Sequence, residues 1–202
     1  GVGYVRANVP YGHPNFGQAI PCICTKNEAE EHRVQRLQRL SNLGGLTRHT
    51  FETIGAKGRS TDPAAQAQFQ ACLSIAKAYA ENPQGWLVLL GPSGSGKTHL
   101  AAAIANYRIS NREPVFFTVV ADLLDHLRAT YAPSGDISYD DLFDYVRTTP
   151  LLVLDDLGAY ATSPWAEEKL YQVINYRFNS RLPTIITALS LDTLDEKIHT
   201  RL

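Results

Sequence analysis

Two rhythms of apolar residues run along this chain. Short, nearly unbroken apolar runs occur at Trp86–Leu90, Val115–Val120, Leu151–Leu154 and Thr184–Thr187, and their length suits buried strands. Between them, apolar residues recur three and four positions apart, the spacing of one helix face. Phe69, Cys72, Leu73, Ala76, Tyr79 and Ala80 form such a stripe, opened by Asp62-Pro63 and stopped by Asn82-Pro83. Further helices are predicted over 98–110, 121–130 and 139–147, with a loop at Pro133-Ser134-Gly135. Another follows Ser163-Pro164, with Leu170, Val173, Ile174 and Phe178 on its apolar stripe. Upstream, Gly1–Ile20 reads as irregular chain. Thr25 to Glu28 has the capping-box form and predicts a leader helix through about Leu40, closed by Gly44-Gly45. The expected organisation is a leader over 1–45, a linker over 46–61 and a core over 62–202. Strands alternating with helices predict an α/β fold, a parallel sheet covered on both faces.

Composition narrows the class. Apolar residues make up 44% and charged residues 19%, a balance that suits a folded domain with a sizeable core. No apolar run approaches the roughly 18 residues of a membrane span, so no membrane contact is expected. The start has neither a basic stretch nor an apolar one, so no signal peptide is expected either. Three cysteines are too few for a disulfide framework, which points to the cytoplasm. The net charge of −1 hides an asymmetry, because the first fifty residues carry six Lys and Arg against three acidic side chains. That slight basic arm is compatible with nucleic acid or an acidic protein and establishes neither.

The chemistry concentrates at Gly91-Pro92-Ser93-Gly94-Ser95-Gly96-Lys97-Thr98, followed by His99. The run satisfies G-x-x-x-x-G-K-[ST] between a predicted strand and a predicted helix, the context a phosphate loop requires. Glycines let the backbone curl its N–H groups toward one phosphate chain, and the helix aims its positive end at the same anion. Lys97 is expected on the β- and γ-phosphates, and the Thr98 hydroxyl on Mg²⁺. A second motif, Leu151-Leu152-Val153-Leu154-Asp155-Asp156, ends a strand in two carboxylates. Carboxyl ends of parallel strands face the ligand crevice, so Asp155 is expected on the metal and Asp156 on the attacking water.

The stretches GPSGSGKTHLAAAIAN, LLVLDDLG, INYRFNSRLPTIIT and KIHTRL together resemble the AAA+ ATPases of the bacterial helicase-loader type (DnaC/DnaI), a core shared with the IstB-type transposition helpers. The resemblance covers roughly residues 46–202, and the Cys-containing leader also looks loader-like. It implies a three-layer, AAA+ type P-loop NTPase that binds ATP and Mg²⁺. It further implies single-stranded DNA and a replicative helicase as partners, with copies assembling side by side. Arg201 matches the arginine that reaches a neighbouring subunit's γ-phosphate. The chain departs from the family at Leu189, where a polar sensor, often Asn, is usual; Thr187 or Ser190 would have to substitute, or hydrolysis would be slow. A fifth strand and a later sensor arginine are also implied, so the core is expected to be truncated at Leu202. The competing readings are an ATPase assisting a DNA transposase, a small-molecule kinase, and a nucleotide-gated module that barely hydrolyses.

Weaker signals stay open. Cys22-x-Cys24 near His13 offers fewer ligands than zinc usually takes, so a Zn²⁺ site competes with ordinary thiols. Arg33, Arg36 and Arg39 form either a partner-binding stripe or a solvated face. Arg177 is expected either in a functional basic position or paired with Glu167 or Glu168. Phe51 is read as an adenine contact or a core anchor, Cys72 as core, and Trp86 and Trp165 as space-filling.

Overall fold

The computed structural model describes residues 3–6, 9–14, 16–17, 19–22, 39–55, 58, 60–130, 137–192, 194 and 196–202. The chain groups into two compact units, Gly1–Arg39 and Leu40–Leu202. In the first, β1 (Tyr4–Arg6) and β2 (Ala19–Pro21) pair antiparallel, with Tyr4 opposite Pro21. The reading of Gly1–Ile20 as irregular chain is thereby corrected, because a three-residue strand shows no periodicity in sequence. Cys22 donates its N–H to the Gly3 carbonyl and is half of a disulfide rather than a free thiol. The expected leader helix, with Arg33, Arg36 and Cys24, and the Pro133 loop lie outside the described residues.

The second unit is an α/β layer structure. Its strands are β3 (Trp86–Leu90), β4 (Val115–Val119), β5 (Leu151–Leu157) and β6 (Thr184–Ala188), all parallel, in the order β3-β6-β5-β4. Its helices are α1 (Pro63–Glu81), α2 (Lys97–Ser110), α3 (Val120–Ala129), α4 (Tyr139–Thr148), α5 (Pro164–Asn179) and the short α6 (Glu196–His199). Asp62 opens α1 by accepting from the Ala64 and Ala65 N–H groups, with Pro63 at the first turn. Alternate strand residues face opposite layers. Val115, Phe117, Leu151, Val153 and Ile185 join Leu73, Ala76 and Ala80 of α1 and Leu100, Ala101, Ala102, Ile104 and Ala105 of α2 in one core. On the other face the Phe116 ring meets Tyr145 of α4 edge-on at 5.5 Å.

Residues 40–54, expected at the end of the leader and in the linker, are packed into this unit. Leu43 is buried in the short 3-10 helix Asn42–Leu46, which contains Gly44 and Gly45. Leu46, Phe51 and Ile54 pack against the core. Ser41 Oγ bonds both the N–H and the carbonyl of Phe117, and Asn42 Oδ1 accepts from the Val119 N–H. These side chains occupy backbone groups that the outer edge of β4 would otherwise leave open. Phe51 is a core anchor, with an edge contact to Tyr107 at 6.2 Å.

Candidate functional site: a phosphate loop and a carboxylate strand

The loop 91–96 leaves the carboxyl end of β3 and enters α2. Gly91, Gly94 and Gly96 have φ of 148°, 78° and 97°, values that favour glycine. Gly96 is the residue before the first turn of α2 and accepts from the Leu100 N–H at 3.0 Å. A side chain at Gly91 would also press on Ser95 Oγ at 3.3 Å. Lys97 folds back over the loop, donating to the carbonyls of Gly91 at 2.7 Å and Pro92 at 2.9 Å. The ammonium therefore sits over the loop, and the N-terminus of α2 points into the same space.

Asp155 lies on β5. β6 runs between β3 and β5. The loop and the carboxylate still meet, because Thr98 Oγ1 lies 2.9 Å from Asp155 Oδ1 and 3.1 Å from Oδ2. Adjacent oxygens of an octahedral Mg²⁺ with bonds near 2.1 Å are separated by about 3.0 Å. Thr98 and Asp155 thus fit the donor set and spacing that this ion requires. Thr187, at the end of β6, donates to Asp155 Oδ1 at 2.6 Å. Burial raises the Asp155 pKa; the Thr187 and Thr98 hydroxyls oppose it, Asp156 adds to it, and Lys97 lowers it. A buried carboxylate short of positive charge suits a site that takes a cation.

Asp156 does not follow the strand rule. It is exposed, with φ 60°, and its N–H donates to Thr187 Oγ1 at 2.9 Å. β5 runs to Leu157, so both carboxylates belong to the strand rather than following it. His99 meets His49 edge-on with ring centroids 3.9 Å apart. The His49 imidazole is pushed toward its neutral form by burial first, then by His99 and Arg48. Asn106 donates to the carbonyls of Leu46 and His49, which ties this segment to α2. The pairing of His49 with His99 had no signal in the sequence.

Other expected residues lie elsewhere. Arg201 Nε donates to Asn175 Oδ1 at 3.2 Å, and the guanidinium lies 5.6 Å from the Phe178 ring centre, on α5. Leu189, in the sensor slot, is 63% exposed. Arg177 is fully buried and pairs with neither Glu167 nor Glu168. It donates to the carbonyls of Val146, Arg147, Thr149 and Pro183 and to Thr184 Oγ1. Burial lowers its pKa to about 10, so it stays charged at neutral pH and caps the carbonyl end of α4. Trp86 meets Phe178 edge-on, and Arg128 lies over Trp165. Among the described residues no group of three or more His, Cys, Asp or Glu is placed to hold a metal, and no helix is long and apolar enough to cross a membrane.

A parallel sheet, a glycine-curled loop with Lys-Thr opening a helix, and a buried carboxylate bonded to that threonine define a P-loop nucleotide-binding domain of AAA+ type. Residues 23–199 match the family described as IstB-like ATP binding protein. The chain belongs to that family. It is 26% identical over 165 residues to the replicative helicase loader DnaC of Buchnera aphidicola subsp. Schizaphis graminum, covering 80% of this chain and 65% of that protein. It is 32% identical over 130 residues to the replicative helicase loader DnaI of Bacillus subtilis, covering 63% of this chain and 41% of that protein. The chain thus spans less than two thirds of the length of these relatives. In fold it is similar to the replication initiator DnaA solved with AMPPCP and single-stranded DNA, with TM-score 0.60, 18% identity, 76% of this chain and 47% of that one.

Proposed function

We propose that this chain is the ATP-hydrolysing core of a replicative helicase loader. The observation that carries the reading is the Thr98–Asp155 hydrogen bond, which brings the phosphate loop and the carboxylate strand to one point. In this reading the loop from Gly91 to Thr98, continued by His99, holds the triphosphate. Lys97 turns from the loop carbonyls to the phosphates. Thr98 and Asp155 hold Mg²⁺, which when bound neutralises charge on the phosphate oxygens. Asp156, exposed beside them, orients the attacking water and accepts its proton. Arg201 lies on α5 rather than over its own loop, which supports action on the nucleotide of a neighbouring copy. The names of the relatives support a helicase as partner, and the DnaA likeness makes single-stranded DNA a reasonable ligand to test. Hydrolysis would then alter subunit packing and the grip on both.

The decisive experiment measures ATP turnover of the full-length protein with single-stranded DNA, with a hexameric helicase, and with both. Stimulated turnover and co-purification with the helicase are expected; co-purification with a transposase instead would overturn the loader reading. That second reading, an ATPase assisting a DNA transposase, is favoured by the family match itself. A phosphorylated nucleoside product would replace both with a kinase.

A further inference from the structure

Leu189, just past β6, is exposed, whereas Thr187, two positions earlier, is buried and bonds both Asp155 and Asp156. The register between β5 and β6 shifts at this point. Leu154 pairs with Ile186 and Leu157 with Ala188, so Asp155 and Asp156 together face the single residue Thr187. Two residues opposite one is a β-bulge, which bends a strand and re-aims its side chains. The bulge removes a backbone partner from the Asp156 N–H, and the Thr187 hydroxyl supplies one. The same hydroxyl donates its proton to Asp155 Oδ1. One oxygen, on a residue only 1% exposed, therefore bonds the Asp155 carboxylate and the Asp156 backbone at once.

We propose that Thr187 is the positioning residue of this site. Its hydroxyl occupies Oδ1 of Asp155 and so leaves Oδ2, 3.1 Å from Thr98 Oγ1, for the metal. It also holds the bulge that gives Asp156 its positive φ and turns that carboxylate outward. A left-handed backbone is strained for a non-glycine residue and persists only where neighbours hold it. The inference rests on the proposed Mg²⁺–ATP site. It assigns no contact with nucleotide to Thr187, only control of the two groups that make such contacts.

Valine keeps the shape of threonine and removes the hydroxyl, whereas serine keeps the hydroxyl and removes the methyl. The test compares Thr187→Val and Thr187→Ser in the full chain, with Thr187→Ala standing in if the valine variant does not fold. A fluorescent ATP analogue is titrated first without metal and then against Mg²⁺, and ATP turnover is measured alongside. Without metal, all variants are expected to bind the analogue as the parent does. Thr187→Val (or Ala) should need about 10–100-fold more Mg²⁺ for metal-dependent tightening, with a similar loss of turnover, the usual cost of deleting a group that orients a metal ligand. Thr187→Ser should stay within about threefold of the parent on both measures. A purely packing role predicts the reverse order, with valine harmless and serine impaired, and that order would overturn the inference. So would equal Mg²⁺ requirements in all variants. If the parent itself fails to turn over ATP, the hydrolysis reading falls while the Mg²⁺ titration still decides the role of Thr187.

Discussion

At the scale of single residues, two buried charges sit in this core and behave differently. Arg177 spends its donors on four carbonyls and a hydroxyl, so its charge is solvated by backbone rather than by an acid. Arg177→Met would strand those carbonyls and is expected to cost about 3 kcal/mol or more, read as a lowered urea midpoint at unchanged m-value. Asp155 is the opposite case, because its surroundings raise its pKa, burial being the largest cause. As pH rises from the ordinary carboxylate value to the raised one, the unfolded chain has lost a proton that the folded chain keeps. Stability of the nucleotide-free protein therefore falls across that window and stays reduced above it. Asp155→Asn should raise the nucleotide-free melting temperature at neutral pH and lose that advantage as pH drops to the ordinary value. The same variant should lose Mg²⁺-dependent tightening of ATP. Calorimetry across pH, paired with nucleotide titration, checks both halves.

At the scale of elements, the phosphate loop depends on backbone shape more than on side chains. Gly96 has φ 97°, and a Cβ there would sit 3.5 Å from the Phe69 ring. Space is adequate, so the penalty of Gly96→Ala is conformational, about 1–2 kcal/mol. Its larger effect should be on nucleotide affinity, since the strained alanine would turn N–H groups away from the phosphates; equilibrium dialysis with ATP would show it. Most elements of the second unit were legible in the sequence, because apolar runs and caps such as Asp62-Pro63 act locally. The exceptions have physical causes. Residues 40–54 show no periodicity and gain their place through Ser41 and Asn42 on the edge of β4, contacts 76 and 77 residues apart in sequence. The hairpin strands of the first unit are too short to carry a pattern. The β5–β6 bulge is a property of two strands together, and no single segment announces it.

At the scale of the whole molecule, the proposed function needs more than one copy. The guanidinium of Arg201 rests on Asn175 and Phe178 of its own α5. If it serves a neighbour, Arg201→Ala should keep ATP affinity and lose most turnover, about 10³-fold at the scale of trans-acting arginines. Mixing it with a Lys97→Ala variant should restore part of the loss. In such a mixture an intact arginine on one copy faces an intact loop on the next. A mixture no more active than its parts would place the arginine's role within one subunit. Binding to single-stranded DNA should weaken steeply with salt if the contacts are to phosphates.

The order of residues was enough to locate the phosphate loop, to mark Asp155 and Asp156, and to assign an alternating α/β architecture. Each of those rests on local rules, such as glycine where a backbone must curl and an apolar run where a strand is buried. Folding alone decided that β6 would stand between β3 and β5, that Thr187 would join the two acids, and that Arg177 would be sealed among carbonyls. Strand order and side-chain convergence depend on which distant segments pack together, and that choice is made by burial of the core as a whole.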